Sequence, residues 1–244
     1  MAKTVKDMVR QYERKRYAFS EFLGLVEQDE MLRDLREFPR VAYELFGGAE
    51  NAERVVLRLG SPEEFGYEED WPISLVEVKP KNAKFSDDLT HRDFLGAIMN
   101  LGLTRERIGD IYIADNVGYV FVLTANAPFL CEQLERVKHT SVDCHIIDEL
   151  PPIPAAEPKE TVVQCASLRA DLVLAKLYNL SRNGAAELFA QGRVFIDGRL
   201  CESGSRELAF GETVSVRGHG RFWLAEDRGL SRKGKHNLLV QYTG

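Results

Sequence analysis

The amino-acid sequence predicts an α+β protein. Three observations carry that expectation: helical spacing of apolar residues near the N-terminus, a β-α-β-β-α-β alternation through the middle, and two helical runs followed by short strands after a proline-rich break. Residues 4–48 read as helices, because Leu23, Val26, Leu32 and Leu35, then Val41, Leu45 and Phe46, recur at mixed three- and four-residue spacing and Gly47-Gly48 is a stop signal. A short strand over 54–59 follows. Glycine, proline and acidic residues between Ser61 and Trp71 mark a soft boundary, so residues 1–70 are expected to form a helical region with one strand.

From Ile73 the period changes. The expected elements are a strand at 73–78, a helix at 89–101, strands at 108–114 and 118–124, a helix at 127–137 and a strand at 141–147. That order is the ferredoxin-like arrangement that also underlies the RNA-recognition motif, and it defines a middle domain over 71–150. Tyr119 and Phe121 fall on one face of its third strand. The run Gly118-Tyr119-Val120-Phe121-Val122 partly matches the base-stacking signature of that motif, but Val117 replaces the basic residue, Val120 the small one, and the first strand has no aromatic. The acidic setting favours these rings as core or interface. His91-Arg92-Asp93 copies the opening of a kinase catalytic loop without the asparagine, glycine-rich loop or D-F-G that chemistry needs. At a helix start, Asp93 instead complements the positive end of the dipole.

Leu150 to Pro158 holds four prolines, which remove backbone donors and favour extended chain, so 151–164 is expected to be a linker. In the C-terminal domain, 165–244, an apolar run at 172–177 predicts a first short helix. Ser181 is a natural N-cap for a second over 182–191, and Gly192 suits the left-handed position that closes it. Val194-Phe195-Ile196, Asp197-Gly198 and Arg199-Leu200-Cys201 read as a hairpin. Further strands are expected at 213–217, 221–225 and 238–242. Arg169, Arg182, Arg193, Arg199, Arg217 and Arg221 sit at helix starts or strand ends, and Arg232, Lys233 and Lys235 lie in the last loop. Guanidinium groups at such joints reach phosphate oxygens bidentately.

The net charge of −6 conceals an asymmetry. Residues 161–244 carry 12 Lys and Arg against 8 Asp and Glu, whereas residues 1–160 carry 20 against 30. One part of the chain is suited to a polyanion and the rest is not. Cys131, Cys144, Cys165 and Cys201 are scattered without metal-ligand spacing and read as reduced thiols, so neither a zinc site nor any other cofactor is expected. No apolar run of about 18 residues exists to insert into a membrane, and the charged N-terminus lacks a secretory core, so a cytosolic protein is expected.

The motifs Ser167-Leu168-Arg169-Ala170-Asp171, Leu180 to Ala185, Gly192 to Arg199 and Gly211 to Val216 resemble, in order and spacing, the alpha-L RNA-binding domain named after ribosomal small-subunit protein four, here the S-four domain. His91 to Ala97, Arg107 to Ile111 and Gly218 to Phe222 extend the likeness to the bacterial YlmH family over most of residues 80–244. The resemblance implies a helical N-terminal region, an RRM-like middle domain, and a small αα-β S-four domain. It also implies association with the large ribosomal subunit and peptidyl-tRNA in rescue of stalled nascent chains, with some members linked to cell division. Arg169, Ser181, Arg182, Arg193 and Arg199 match the motif positions expected to face RNA. Arg217 and Arg221, flanking Gly218-His219-Gly220, join them because two glycines let backbone approach a ligand. Ala170 and Asp197 depart from the leucine and asparagine common in the family.

The expected function is therefore non-catalytic binding to structured rRNA or tRNA. A methyltransferase would need a glycine-rich nucleotide turn, which is absent, and a pseudouridine synthase a sizeable catalytic domain, whereas only about 14 residues follow the S-four module. A scaffold holding a protein partner through the acidic N-terminal region, including one acting in cell division, is compatible with RNA binding.

Overall fold

The computed structural model describes residues 4–50, 52–153 and 158–243. Residues 154–157 of the expected linker lie outside these. Backbone contacts divide the chain once, into Met1–Pro154 and Ala155–Gly244.

In the first unit, α1 (Val5–Tyr12) opens with a capping box, in which Thr4 Oγ1 accepts the Asp7 N–H at 3.2 Å and Asp7 Oδ2 accepts the Thr4 N–H at 3.3 Å. There follow β1 (Ala18–Leu23), α2 (Leu25–Leu35), β2 (Tyr43–Phe46), β3 (Val55–Leu59) and the single-turn α3 (Pro62–Phe65). Helices do not run throughout 4–48: β1 and β2 flank β3 in an antiparallel sheet. β3 is buried at every position, so its backbone needs a partner on both sides. Leu23 and Val26, which share helical spacing, straddle Gly24, where β1 has ended and α2 begins. The helical expectation for 4–48 fails at Glu13 to Arg16 too, since Glu13 caps α1 and Lys15 turns the chain with φ 59°. The stretch 61–71 wraps back over the sheet. Buried Arg58 pairs with Glu44 at 2.5 Å and stacks under Trp71, 4.7 Å from the ring centre.

The same unit continues through β4 (Ile73–Pro80), α4 (His91–Asn100), β5 (Ile108–Ala114), β6 (Val117–Leu123), α5 (Ala127–Gln133), β7 (Arg136–Val137) and β8 (Thr140–Ile147), with sheet order β5-β6-β4-β8-β7. The expected β-α-β-β-α-β order is present. The second helix stops at Gln133 instead of Val137, because β7 turns back on β8 through Lys138 at φ 53° and buries Val137.

The two faces of this sheet have different covers. Val76, Val78, Val120 and Val122 meet Phe94, Ile98 and Leu130 of α4 and α5. Leu75, Tyr119, Phe121 and Leu123 pack instead against Phe22 and Val56 of the first sheet. Gly109 permits this approach: a Cβ there would lie 2.7 Å from the Phe22 ring and 2.9 Å from Phe121 Cβ. A polar seam borders the contact. Arg54 donates to the carbonyls of Phe22, Arg105 and Ile108 at 3.1, 3.0 and 2.9 Å, while Asp110 accepts the N–H groups of Glu53 and Arg54 at 2.6 and 3.2 Å. Burial, then the neighbouring Arg54, lowers the Arg105 pKa to about 10, which leaves it charged at neutral pH.

The second unit comprises β9 (Lys159–Cys165), α6 (Ala170–Leu177), α7 (Arg182–Ala190), β10 (Val194–Ile196), β11 (Arg199–Leu200), β12 (Val214–Val216), β13 (Gly220–Leu230) and β14 (His236–Thr243). One sheet runs β11-β10-β12-β13-β14-β9. Ala170, Val173, Leu174, Ala185, Leu188 and Phe189 of the helices bury one of its faces together with Val194, Val214, Phe222, Leu238 and Val163. Lys159 to Gln164, within the expected linker, is strand. Its alternation places Val163 and Cys165 in the core, and β14 pairs with β9 over its length.

Candidate nucleic-acid interface

The C-terminal arginines are placed by the turns that flank α7. Ser181 Oγ accepts the Gly184 N–H at 3.0 Å and caps the helix. The first turn holds no acidic residue, so the N-terminal dipole end is not offset by a carboxylate there. Arg182, the first helical residue, is exposed. At the other end Gly192, at φ 62°, donates to the Phe189 carbonyl at 3.0 Å, and Arg193 donates to the Leu188 carbonyl at 2.9 Å. This is a complete Schellman closure, and it fixes the direction in which Arg193 leaves the helix.

Arg193 is then tied to the turn between β12 and β13. Its Nη2 donates to the Arg217 carbonyl at 2.5 Å, and the Arg217 N–H returns a bond to the Arg193 carbonyl at 2.9 Å. Glycine suits position 218, since φ is 84° and a Cβ would lie 2.6 Å from Arg193 Nη2, which would have to shift. The next residue, His219, lies against Tyr178 with ring centres 4.8 Å apart, and Tyr178 also meets Phe222 edge-on at 6.2 Å. Tyr178 is the residue that caps α6. The chain passes from it through Asn179, at φ 52°, to Ser181 and Arg182. Arg182, Tyr178, Arg193, Arg217 and His219 thus belong to one contiguous network of turns. No ion pair among the described residues engages Arg182, Arg193 or Arg217.

The other expected residues are placed elsewhere. Arg169 flanks the start of α6, about 13.5 Å along the helix from Tyr178 at 1.5 Å per residue. Its guanidinium is bidentate to Asp171 at 3.0 and 2.6 Å, which raises its pKa. The N–H groups of Ala170 and Asp171 are also taken, by the carbonyls of Arg206 and Gly204 at 2.8 and 2.9 Å. Arg199 is exposed beyond a turn in which Asp197 and Gly198 have φ of 48° and 74°, as a type I′ hairpin requires. Arg221 lies on β13 beside inward-facing Phe222, so it points to the sheet face opposite the helices. Arg232, Lys233 and Lys235 occupy the exposed end of the long β13–β14 hairpin.

Tyr178 is the residue the sequence pattern does not mark. Its hydroxyl is buried without a hydrogen-bond partner among the described residues, and burial pushes its pKa up to about 12. The only signal for its place is the Gly218-His219-Gly220 turn, which leaves a ring for it to meet.

The described residues contain no group of His, Cys, Asp and Glu that could hold a metal ion. The four cysteines are free, with Cys165 and Cys201 buried, and burial raises Cys144 to about 12. No helix among the described residues is long and apolar enough to cross a membrane.

Comparison with known proteins places this architecture in a lineage. Residues 66–149 match the family model described as "Putative RNA-binding domain in YlmH". The chain is 30% identical over 202 residues to the ribosome-associated protein quality control protein P2 of Bacillus subtilis (strain 168), an alignment spanning 80% of this chain and 76% of that one. The solved structure of cell division protein ylmH from Streptococcus pneumoniae aligns with 59% of this chain and 87% of its own, at 18% identity and a TM-score of 0.47. By the identity and coverage of the Bacillus relative, together with the matched middle domain, the chain belongs to the YlmH family.

Proposed function

We propose that this protein is a non-catalytic RNA-binding protein that docks on structured rRNA or tRNA through its C-terminal unit, at the large ribosomal subunit, in the quality control of stalled nascent chains. The C-terminal unit acts as an S-four domain. The observation that carries the proposal is the network of turns joining Arg182, Arg193 and Arg217: three guanidinium groups without a described ion pair, the first of them at a helix N-terminus whose first turn lacks acidic residues. Such a surface suits phosphate oxygens, with shape and backbone contacts in place of base readout. The Bacillus relative's name, and the family's RNA-binding domain description, support the ribosomal setting. Cytoplasmic residence follows from that setting.

Arg182, Arg193 and Arg217 contact phosphate directly, with Ser181 holding the helix start that carries Arg182. Arg199 and Arg221 extend the contact on the hairpin and the opposite sheet face. Arg169 contributes only if RNA displaces Asp171. The test is binding of large-subunit rRNA and bulk tRNA across a salt series. With about five phosphates engaged, log K falls against log salt with a slope of about −3.5 to −4.5. A flat response removes the phosphate-docking mechanism.

A further inference from the structure

The middle domain presents a paradox for an RNA-binding role. The sheet face on which an RNA-recognition motif stacks bases is, in this chain, core: Tyr119 is 8% exposed and Phe121 4%, under Phe22 and Val56. Base stacking there would require the first sheet to detach from a contact sealed by Arg54 and Asp110. Any RNA contact of this domain must use another surface.

The helical side offers one. A groove of about 520 Å³ runs between α4 and the segment from the end of α5 to Lys138. Arg92, Gly96 and Asn100 follow one another at four-residue spacing along α4, so they share the face that forms one wall. Gly96 leaves that wall open, because a Cβ there would meet nothing within 4 Å. Gln133, Arg136 and Lys138 line the opposite side. Arg92 and Arg136 are exposed, and neither has an ion pair among the described residues. Two acidic residues, Asp93 and Glu135, also line the groove; Glu135 is exposed beside Arg136 on one wall, whereas Asp93 is committed. It accepts from Thr90 N and Oγ1 at 2.8 and 2.6 Å and pairs with Lys138 at 3.1 Å.

We infer that this groove is a second RNA contact, in which Arg92 and Arg136 bind backbone phosphates from opposite walls and the amides of Asn100 and Gln133 meet sugar hydroxyls or base edges. The occupant is RNA because the groove lies within residues 66–149, the segment matched by the RNA-binding family model, and two guanidinium groups without a described ion pair stand on its opposite walls with the amides of Asn100 and Gln133 also lining it. An acidic peptide, the rival, would meet the same arginines and the side chains of Ala97, Leu101 and Leu134, and the experiment below separates the two. The inference rests on the RNA-binding function proposed above and adds the middle domain's share of it.

The experiment compares the full-length protein with Arg92→Ala/Arg136→Ala and with Arg182→Ala/Arg193→Ala. Each is titrated with large-subunit rRNA and bulk tRNA over a salt series. The groove variant is expected to bind about tenfold more weakly at ~0.15 M salt and to lose about 2 from the magnitude of the salt slope, one per phosphate contact. Arg92→Lys/Arg136→Lys, keeping the charge, is expected to retain most of the slope, which separates phosphate contact from a folding defect. Wild-type affinity and slope in the groove variant, with loss in the Arg182/Arg193 variant, overturn the groove and leave the C-terminal interface standing. No change in either variant overturns both. Poly-glutamate binding that requires Arg92 and Arg136, with RNA binding unaffected, assigns the groove to acidic peptide and also overturns the inference.

Discussion

The Arg193 side chain donates to the main-chain carbonyl of Arg217 at 2.5 Å, so the residue whose N–H closes α7 also fixes, through its guanidinium, the turn carrying Arg217 and His219. Arg193 consequently has two functions in the account. Its spare donors remain available to phosphate, and its bond to Arg217 organises the neighbouring contact.

Replacing Gly218 by Ala tests the second function. The new Cβ meets Arg193 at a backbone φ of 84°, so the variant is expected to lose about 1–2 kcal/mol in urea unfolding and to bind rRNA more weakly. Wild-type stability would remove the steric argument.

Arg182→Ala/Arg193→Ala is expected to weaken RNA binding about tenfold or more at ~0.15 M salt. The stability cost stays near 1 kcal/mol, because Arg182 is exposed and Arg193 loses one hydrogen bond. Thermal melting alongside filter binding checks both statements. Unchanged affinity in the folded variant would remove these residues from the interface.

The buried aromatic pair gives the opposite pattern. Phe121→Ala is expected to destabilise the first unit by about 3–5 kcal/mol while leaving RNA affinity of the folded fraction unchanged, since the ring is core. A selective loss of RNA affinity at wild-type stability would restore Phe121 to a base-stacking role.

Acid stability depends in part on Asp93. Hydrogen bonds from the Thr90 side chain and N–H, then Lys138, lower its pKa from 3.8 to about 2. A folded pKa below the unfolded one stabilises the fold above about pH 4, and the contribution is lost as pH falls toward 2. Asp93→Asn is therefore expected to flatten stability against pH across that window, read by urea unfolding at a series of pH values. An unchanged pH dependence would contradict the capping assignment.

Tyr178→Phe removes a hydroxyl that is buried without a partner among the described residues. The variant is expected to melt at or slightly above the wild-type temperature, because no hydrogen bond is lost and a desolvated polar group is removed. A clear drop in melting temperature would show that the hydroxyl has a partner in solution.

How much of this is legible in the sequence depends on the range of the interactions. The middle domain and α7 are legible because local signals define them: the short apolar runs of β5 and β6 between turn residues, Ser181 before α7, Gly192 after it, Asp197-Gly198 at φ suited to a type I′ turn. β1 and β2 are not, because they are strands only by pairing with buried β3, whose partners are set by distant residues. β9 is concealed for the same reason, its partner β14 lying over 70 residues away. At the candidate interface, residue types at the joints announce the arginines, yet only the fold shows Asp171 holding Arg169 and Arg217 joined to Arg193. Arg54, which seals the middle sheet, carries no motif, and the Arg107 to Ile111 motif that contains Asp110 does not announce its contact with Glu53 and Arg54.

The most direct test of the central claim is sedimentation of cell lysate through sucrose gradients at low and high salt, with wild type and Arg182→Ala/Arg193→Ala run in parallel. The account predicts that the wild type co-migrates with large ribosomal subunits at low salt and is released at high salt, while the variant stays at the top of the gradient. Wild-type protein at the top under both conditions, or a variant that co-migrates as the wild type does, would contradict it.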